Sequence, residues 1–120
     1  MKIYIAGPYT KKDPCINVNK AIHVANELFD AGYIPFIPHL SHFWHTITPR
    51  KYSDWMKIDK AFLKCCDIVV RLPGESKGAD IECKLAKKLG IPVIYNYKKL
   101  ILDKSKWAPM GTKRAPMCTK

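Results

Sequence analysis

The sequence lacks the patterns that mark a membrane span, a disulfide framework or a bound metal. It has no run of about 18 apolar residues, so no transmembrane helix is expected. Its five cysteines are odd in number and show no CxxC spacing, which favours reduced thiols over a metal site. The apolar stretch after Met1 is too short for a signal peptide and ends at Gly7-Pro8, a strand-to-turn signal. We therefore expect a cytoplasmic protein that needs no metal or other cofactor.

Acidic residues are also few, with 10 Asp and Glu against 21 Lys and Arg, and the net charge is +11. A basic excess attracts phosphate, on a polymer or on a small nucleotide. The basic residues load the C-terminal tail, residues 105–120, but no arginine-rich stripe with interleaved aromatics is present. A small-molecule nucleotide is therefore the favoured ligand, and nucleic acid is a less favoured partner of the basic tail.

Apolar residues make up 48% of the chain, which is enough for a hydrophobic core, and the length fits one domain. Strand patterns alternate with helix patterns, and the segment 38–52 is predicted to be a loop. The strands are predicted at 2–6, 33–37, 67–72 and 91–95, and the helices at 17–31, 53–66, 78–89 and 97–104. Asn17 and Ser53 are the expected N-caps of the first two helices. This order predicts a single-domain α/β fold over residues 1–104, with a doubly wound, Rossmann-like (flavodoxin-like) parallel sheet of about four or five strands.

Ligands of such sheets bind beyond the carboxyl ends of the strands. This rule brings together Gly7, Pro8 and Tyr9 after the first strand and His39 after the second. Gly7 allows a ligand to approach the backbone closely, and Tyr9 is long enough to reach it. We expect these four residues to bind substrate, although an ordinary turn would explain Gly7-Pro8-Tyr9 as well.

The loop after the third strand ends in Ser76, Lys77 and Gly78, at the start of a predicted helix. Backbone N–H groups at a helix start, together with a serine hydroxyl, can hold a phosphate group. The segment is neither a P-loop nor a GxGxxG motif. It is predicted to bind the substrate, and the alternative is that Ser76 only caps the helix.

Two acids, Glu82 and Asp59, lie on the apolar stripes of their predicted helices. A buried carboxylate is costly unless it is paired or faces a cleft, so both are candidate catalytic residues. Glu82 lies near the start of its helix, where the helix dipole favours the ionised form that a nucleophile needs. The alternatives are that Asp59 pairs with a lysine, that Glu82 only completes a helix N-terminus, or that the helix phase is misjudged.

These residues also resemble the sequence motifs of a known protein family. Ile3–Tyr9, Asp59 ahead of Asp67, and Ser76–Glu82 are similar to motifs of the nucleoside 2-deoxyribosyltransferase superfamily, which includes the 2′-deoxynucleoside 5′-monophosphate N-glycosidases. The resemblance covers about residues 1–96. It implies a homodimer or higher oligomer in which a neighbouring subunit completes each site.

The resemblance implies that Glu82 is the nucleophile and that Asp59 supports it. At the position of Ser76, the transferases tend to carry Asp, whereas the monophosphate hydrolases carry Ser. It therefore favours hydrolysis of a nucleoside 5′-monophosphate to a free base and a sugar phosphate, through a glycosyl-enzyme intermediate. A deoxyribosyltransferase and a non-catalytic nucleotide-binding module stay open as alternatives. The segment 40–52 matches no family pattern and leaves the base undefined.

Overall fold

The computed structural model describes residues 1–102, and its four strands form one all-parallel sheet. The order across the sheet is β2-β1-β3-β4, so β2 is added on one side of β1, and β3 and then β4 are added on the other side. The strands are β1 (Lys2–Ala6), β2 (Ile34–Phe36), β3 (Ile68–Arg71) and β4 (Val93–Ile94). Every connection carries a helical segment, and the predicted α/β, Rossmann-like fold is confirmed.

Helices cover both faces of the sheet because side chains alternate along each strand. Ile3 and Ile5 of β1 join the core under α1 (Pro14–Asp30) and α5 (Lys98–Leu102). Tyr4 and Ala6 point the other way, into a core formed with α3 (Tyr52–Leu63) and α4 (Lys77–Lys88). The site described below lies in this second layer.

The first helix begins earlier than predicted. Asp13, not Asn17, is its N-cap, and the Asp13 carboxylate accepts hydrogen bonds from the backbone N–H groups of Cys15 at 2.9 Å and Ile16 at 3.4 Å. Proline at the first helical position fits this start, since a proline there loses no hydrogen bond. The Asn17 side chain instead donates to the carbonyl groups of Tyr9 and Lys11, which fixes the loop after β1.

The predicted loop 38–52 is wrong in part, because it holds a 3₁₀ turn (Pro38–Leu40) and the helix α2 (Ser41–Ile47). The apolar side chains of α2 point outward: Phe43 is 62% exposed and Ile47 is 83% exposed. Its contacts with neighbouring elements are made by His42, Trp44 and His45. A helix with this inverted pattern gives no apolar stripe for sequence reasoning to detect.

The remaining boundaries differ by a few residues, as helix ends usually do. The third helix begins at Tyr52 without a side-chain cap, so the predicted cap at Ser53 is wrong, and it ends at Leu63. Ser76 caps α4 as the alternative interpretation stated. The predicted tail, residues 105–120, lies outside the described residues. Within residues 1–102, no helix combines the length and apolar character that crossing a bilayer requires.

Two loops meet at the carboxyl edge of the sheet, above β1 and β3. A Cβ atom added to Gly7 would lie 2.9 Å from Leu72 Cβ, and one added to Gly74 would lie 2.8 Å from Pro8 Cγ. Gly74 also has φ +115°, which favours glycine. Lys11 and Glu75 form an exposed ion pair at 3.7 Å between the same loops. The two loops therefore interlock and form a rim over this part of the sheet.

This packing predicts that Gly74→Ala destabilises the protein more than Gly32→Ala. Both glycines have positive φ, but a Cβ at Gly32 would meet nothing within 4 Å. We expect Gly32→Ala to cost about 1 kcal/mol of unfolding free energy from backbone strain, and Gly74→Ala roughly twice that from the added clash with Pro8. Urea denaturation of both variants measures the difference, and equal losses would contradict the interlocked rim.

Candidate active site

Glu82 lies in the second turn of α4 and is only 5% exposed. The hydroxyl group of Tyr4, a fully buried residue in the middle of β1, donates a hydrogen bond of 2.7 Å to Glu82 Oε2. The carboxylate is therefore held against the sheet by a rigid aromatic side chain on a central strand. Sequence reasoning missed Tyr4, although a tyrosine within an otherwise aliphatic buried strand signals a hydroxyl that needs a polar partner.

Asp59 of α3 is partly buried on the same side of the sheet, and burial raises its pKa from 3.8 to about 7. Burial also raises the pKa of Glu82 from 4.5 to about 7, and the nearby charge of Asp59 adds to the rise. The hydrogen bond from Tyr4 and the positive charges of Arg71 and Lys60 lower the Glu82 pKa. Burial thus outweighs the dipole effect that the sequence indicated for Glu82, since dipole effects fade beyond the first turn.

The result is a pair of acids that both titrate near neutral pH beside a tyrosine hydroxyl. Two carboxyl groups of this kind can divide the roles of nucleophile and proton carrier when one is ionised and the other holds a proton. Gly78 helps α3 and α4 to approach each other, since an added Cβ would lie 3.2 Å from the Tyr52 hydroxyl. Asp80, in contrast, is exposed and pairs with Arg71 at 3.0 Å.

His39 is 5% exposed and lies under the rim. Its Nε2 is 3.1 Å from the Pro8 carbonyl oxygen, so Nε2 carries the proton and donates it. Burial lowers the pKa of His39, which favours the neutral ring. Its Nδ1 is then a buried acceptor with no hydrogen-bond partner among the described residues. A bound donor, from a ligand or a water molecule, would satisfy this nitrogen.

The other predicted binding residues are spread along the carboxyl edge. The hydroxyl of Tyr9 shares a hydrogen bond of 2.6 Å with His42 Nδ1, which ties the loop after β1 to α2. Ser76 Oγ accepts the N–H of Ala79 at 3.1 Å, and Lys77 is exposed to solvent. The structure therefore gives Ser76 a capping role and leaves its hydroxyl proton available to a ligand.

Phe43 and Trp44, the two neighbouring aromatic residues of α2, make local contacts. Trp44 packs edge-on against Trp55 of α3 with ring centroids 5.0 Å apart. Phe43 contacts the ring of His42. A second aromatic series lies nearer to Glu82: Tyr4 stacks on Phe36 at 5.7 Å, and Phe36 stacks on Phe62 at 4.7 Å. This series reaches the surface at Phe62, which is half exposed.

Arg71, the last residue of β3, was also missed by sequence reasoning. Its guanidinium donates to the carbonyl groups of Leu72 and Gly74 and to the carboxylate of Asp80.

No three His, Cys, Asp or Glu side chains in residues 1–102 converge so as to hold a metal ion.

The fold and the site together define a Rossmann-like α/β protein with a buried Glu82 and a partly buried Asp59 on one face of its sheet. Residues 1–95 match the family model described as "Domain of unknown function (DUF4406)", and the chain belongs to that family. No curated protein matches the chain.

Among solved structures, the chain is similar to a 2-deoxyribosyltransferase from the psychrotolerant bacterium Bacillus psychrosaccharolyticus, described as a biocatalyst for the synthesis of nucleosides. The TM-score is 0.55 and the identity is 26%, over 78% of this chain and 69% of that one. This likeness supports the resemblance to the deoxyribosyltransferase superfamily.

The two raised pKa values predict how stability depends on pH. Between about pH 4 and pH 7 the folded protein holds protons on Glu82 and Asp59 that the unfolded chain releases. The stabilisation that these acids contribute is therefore largest at low pH. It declines as pH rises from about 4 and is lost once pH has passed about 7.

We expect the double variant Glu82→Gln, Asp59→Asn to remove this decline and to be more stable than the wild type at pH 8. Denaturation at several pH values measures both proteins. The difference between them isolates the two acids from other groups such as His39. Parallel pH profiles for the two proteins would show that the acids are not desolvated in the fold.

Proposed function

We propose that the protein breaks the N-glycosidic bond of a 2′-deoxynucleoside and transfers the sugar, with Glu82 as the attacking carboxylate. The observation that carries the proposal is the buried Glu82, held by the Tyr4 hydroxyl beside a second acid. The similarity to a 2-deoxyribosyltransferase supports the same chemistry.

In the first step, the ionised Glu82 attacks the anomeric carbon of the sugar, and the bond to the base nitrogen breaks. The electron pair of that bond goes to the base, which takes a proton from Asp59. Tyr4 holds Oε2, so Oε1 is the oxygen that forms the ester with the sugar. The sugar passes through an oxocarbenium-like state, which the negative charge of Glu82 stabilises.

In the second step, an acceptor attacks the same carbon and the ester bond to Glu82 breaks. A second base gives a new nucleoside, whereas water gives the free sugar. The acceptor loses its proton to Asp59, which returns the site to its starting state. Both outcomes use the same residues, so they differ only in how well the site excludes water from the intermediate.

The second candidate function is hydrolysis of a nucleoside 5′-monophosphate. Ser76 favours it, because its hydroxyl lies at the N-terminus of α4 and accepts only the N–H of Ala79, so its proton is free to donate. Unpaired N–H groups of the first helical turn add donors for a phosphate. The resemblance described above points in the same direction.

A base-exchange assay tests the proposal. We expect the protein, given a 2′-deoxynucleoside and a different free base, to form a new nucleoside, whereas hydrolysis would give free sugar or sugar phosphate. Glu82→Gln should lower the rate on the order of a thousandfold or more, because the amide cannot act as a nucleophile. Asp30→Asn, at the far end of α1, is the matched control and should keep full activity.

Full activity of Glu82→Gln would remove the mechanism. Unchanged nucleosides and nucleotides after long incubation, with binding still measurable, would support a non-catalytic nucleotide-binding module instead.

Ser76→Ala separates the two candidate functions. Loss of the cap should cost about 1 kcal/mol of stability and affect all substrates alike. Loss of a phosphate contact should lower kcat/KM for monophosphates, by roughly tenfold, without lowering it for nucleosides. The ratio of the two kcat/KM values therefore measures the phosphate contact, and Ser76→Asn, which keeps a capping side chain, is the control for helix stability. An unchanged ratio would exclude Ser76 from phosphate binding.

A further inference from the structure

Arg71 is unusual because its charged side chain is only 10% exposed, whereas its ion-pair partner Asp80 is 66% exposed. Burying a guanidinium is costly, and a surface partner returns little of that cost. Arg71 pairs in register with Ala6 of β1, whose small side chain lies on the same face of the sheet as Tyr4. Strand alternation therefore directs Arg71 into the layer that holds Glu82.

The hydrogen bonds of Arg71 join three parts of the connection between β3 and α4. One nitrogen, Nη2, donates to the Gly74 carbonyl and to Asp80 Oδ1, each at 3.0 Å, and Nη1 donates to the Leu72 carbonyl. Gly74 is the residue that packs on Pro8 in the rim, and Asp80 is in the first turn of the helix that carries Glu82. Arg71 thus fastens the rim to the start of α4.

The charged groups around Glu82 come from three elements packed against it. Tyr4 contributes a hydroxyl from β1, and Asp59 and Lys60 face it from α3. Arg71 contributes a positive charge from β3 that lowers the pKa of Glu82 and opposes the effect of burial. Of the two cations, Arg71 is the one held in place by three acceptors, so its charge has a defined position.

We propose that Arg71 is the positioning residue of this site, whose guanidinium fixes the start of α4 and holds a positive charge on the face of the sheet that carries Glu82. The proposal rests on the proposed function for its catalytic meaning, because Glu82 must be ionised to attack. The structural part of the proposal, that the charge of Arg71 acts on Glu82, applies to the protein without any substrate.

The test is an NMR titration of the Glu82 carboxyl carbon in the full chain without substrate. Arg71→Gln removes the charge, and we expect the Glu82 midpoint to rise by about one pH unit. Arg71→Lys keeps a charge and should hold the midpoint closer to that of the wild type. Asp80→Asn breaks the ion pair but leaves the charge of Arg71, so the midpoint should not rise.

If Arg71→Gln does not fold, Arg71→Met is the second neutral variant for the same titration. A midpoint in a folded neutral variant that equals the wild-type value would overturn the proposal. A rise of the same size in Asp80→Asn would also overturn it, because the effect would then come from the loop and not from the charge.

Activity gives the second readout. In Arg71→Gln the acid limb of the kcat profile should move to higher pH with the titration midpoint, so that kcat at pH 7 falls roughly fivefold. Arg71→Lys should restore the acid limb. If the wild type breaks no glycosidic bond, the proposed function fails while the titration still decides the role of Arg71.

Discussion

The hydrogen bond between the Tyr4 hydroxyl and Glu82 is the contact on which the layout of the site depends. Both groups are buried, and a buried hydroxyl or carboxylate without a partner would cost several kcal/mol. Each therefore needs the other, which fixes α4 on the middle of β1. The arrangement places an acid where a purely apolar core would be more stable. A residue that lowers stability in this way is typical of functional sites.

Much of the fold could be predicted from the sequence, because strands and most helices carry strong periodic patterns. The run Ile68–Val70 is apolar at every position, as a strand covered on both faces should be. The helix α4 is clear because Ser76 caps it and Gly90 follows it, with an apolar stripe between them. Glu82 was found for the same reason, since it interrupts that stripe.

The missed features depend on contacts between residues that are distant in sequence. The helix α2 exposes Phe43 and Ile47 to solvent and turns the partly buried His42 and His45 towards neighbouring elements, so its periodicity points away from the core. Tyr4 and Arg71 look like ordinary strand residues until the register of β1 and β3 brings them beside α4. The pKa of Glu82 likewise depends on how deeply the helix is buried, which spacing along the chain does not reveal.

The interlocked rim has a consequence for how a molecule reaches the acids. Leu72 and Pro8 lie so close to the facing glycines that not even a methyl group fits between the loops. The rim above β1 and β3 therefore leaves no opening at these two contacts. A substrate that reached Glu82 would therefore have to approach from outside this contact between the two loops.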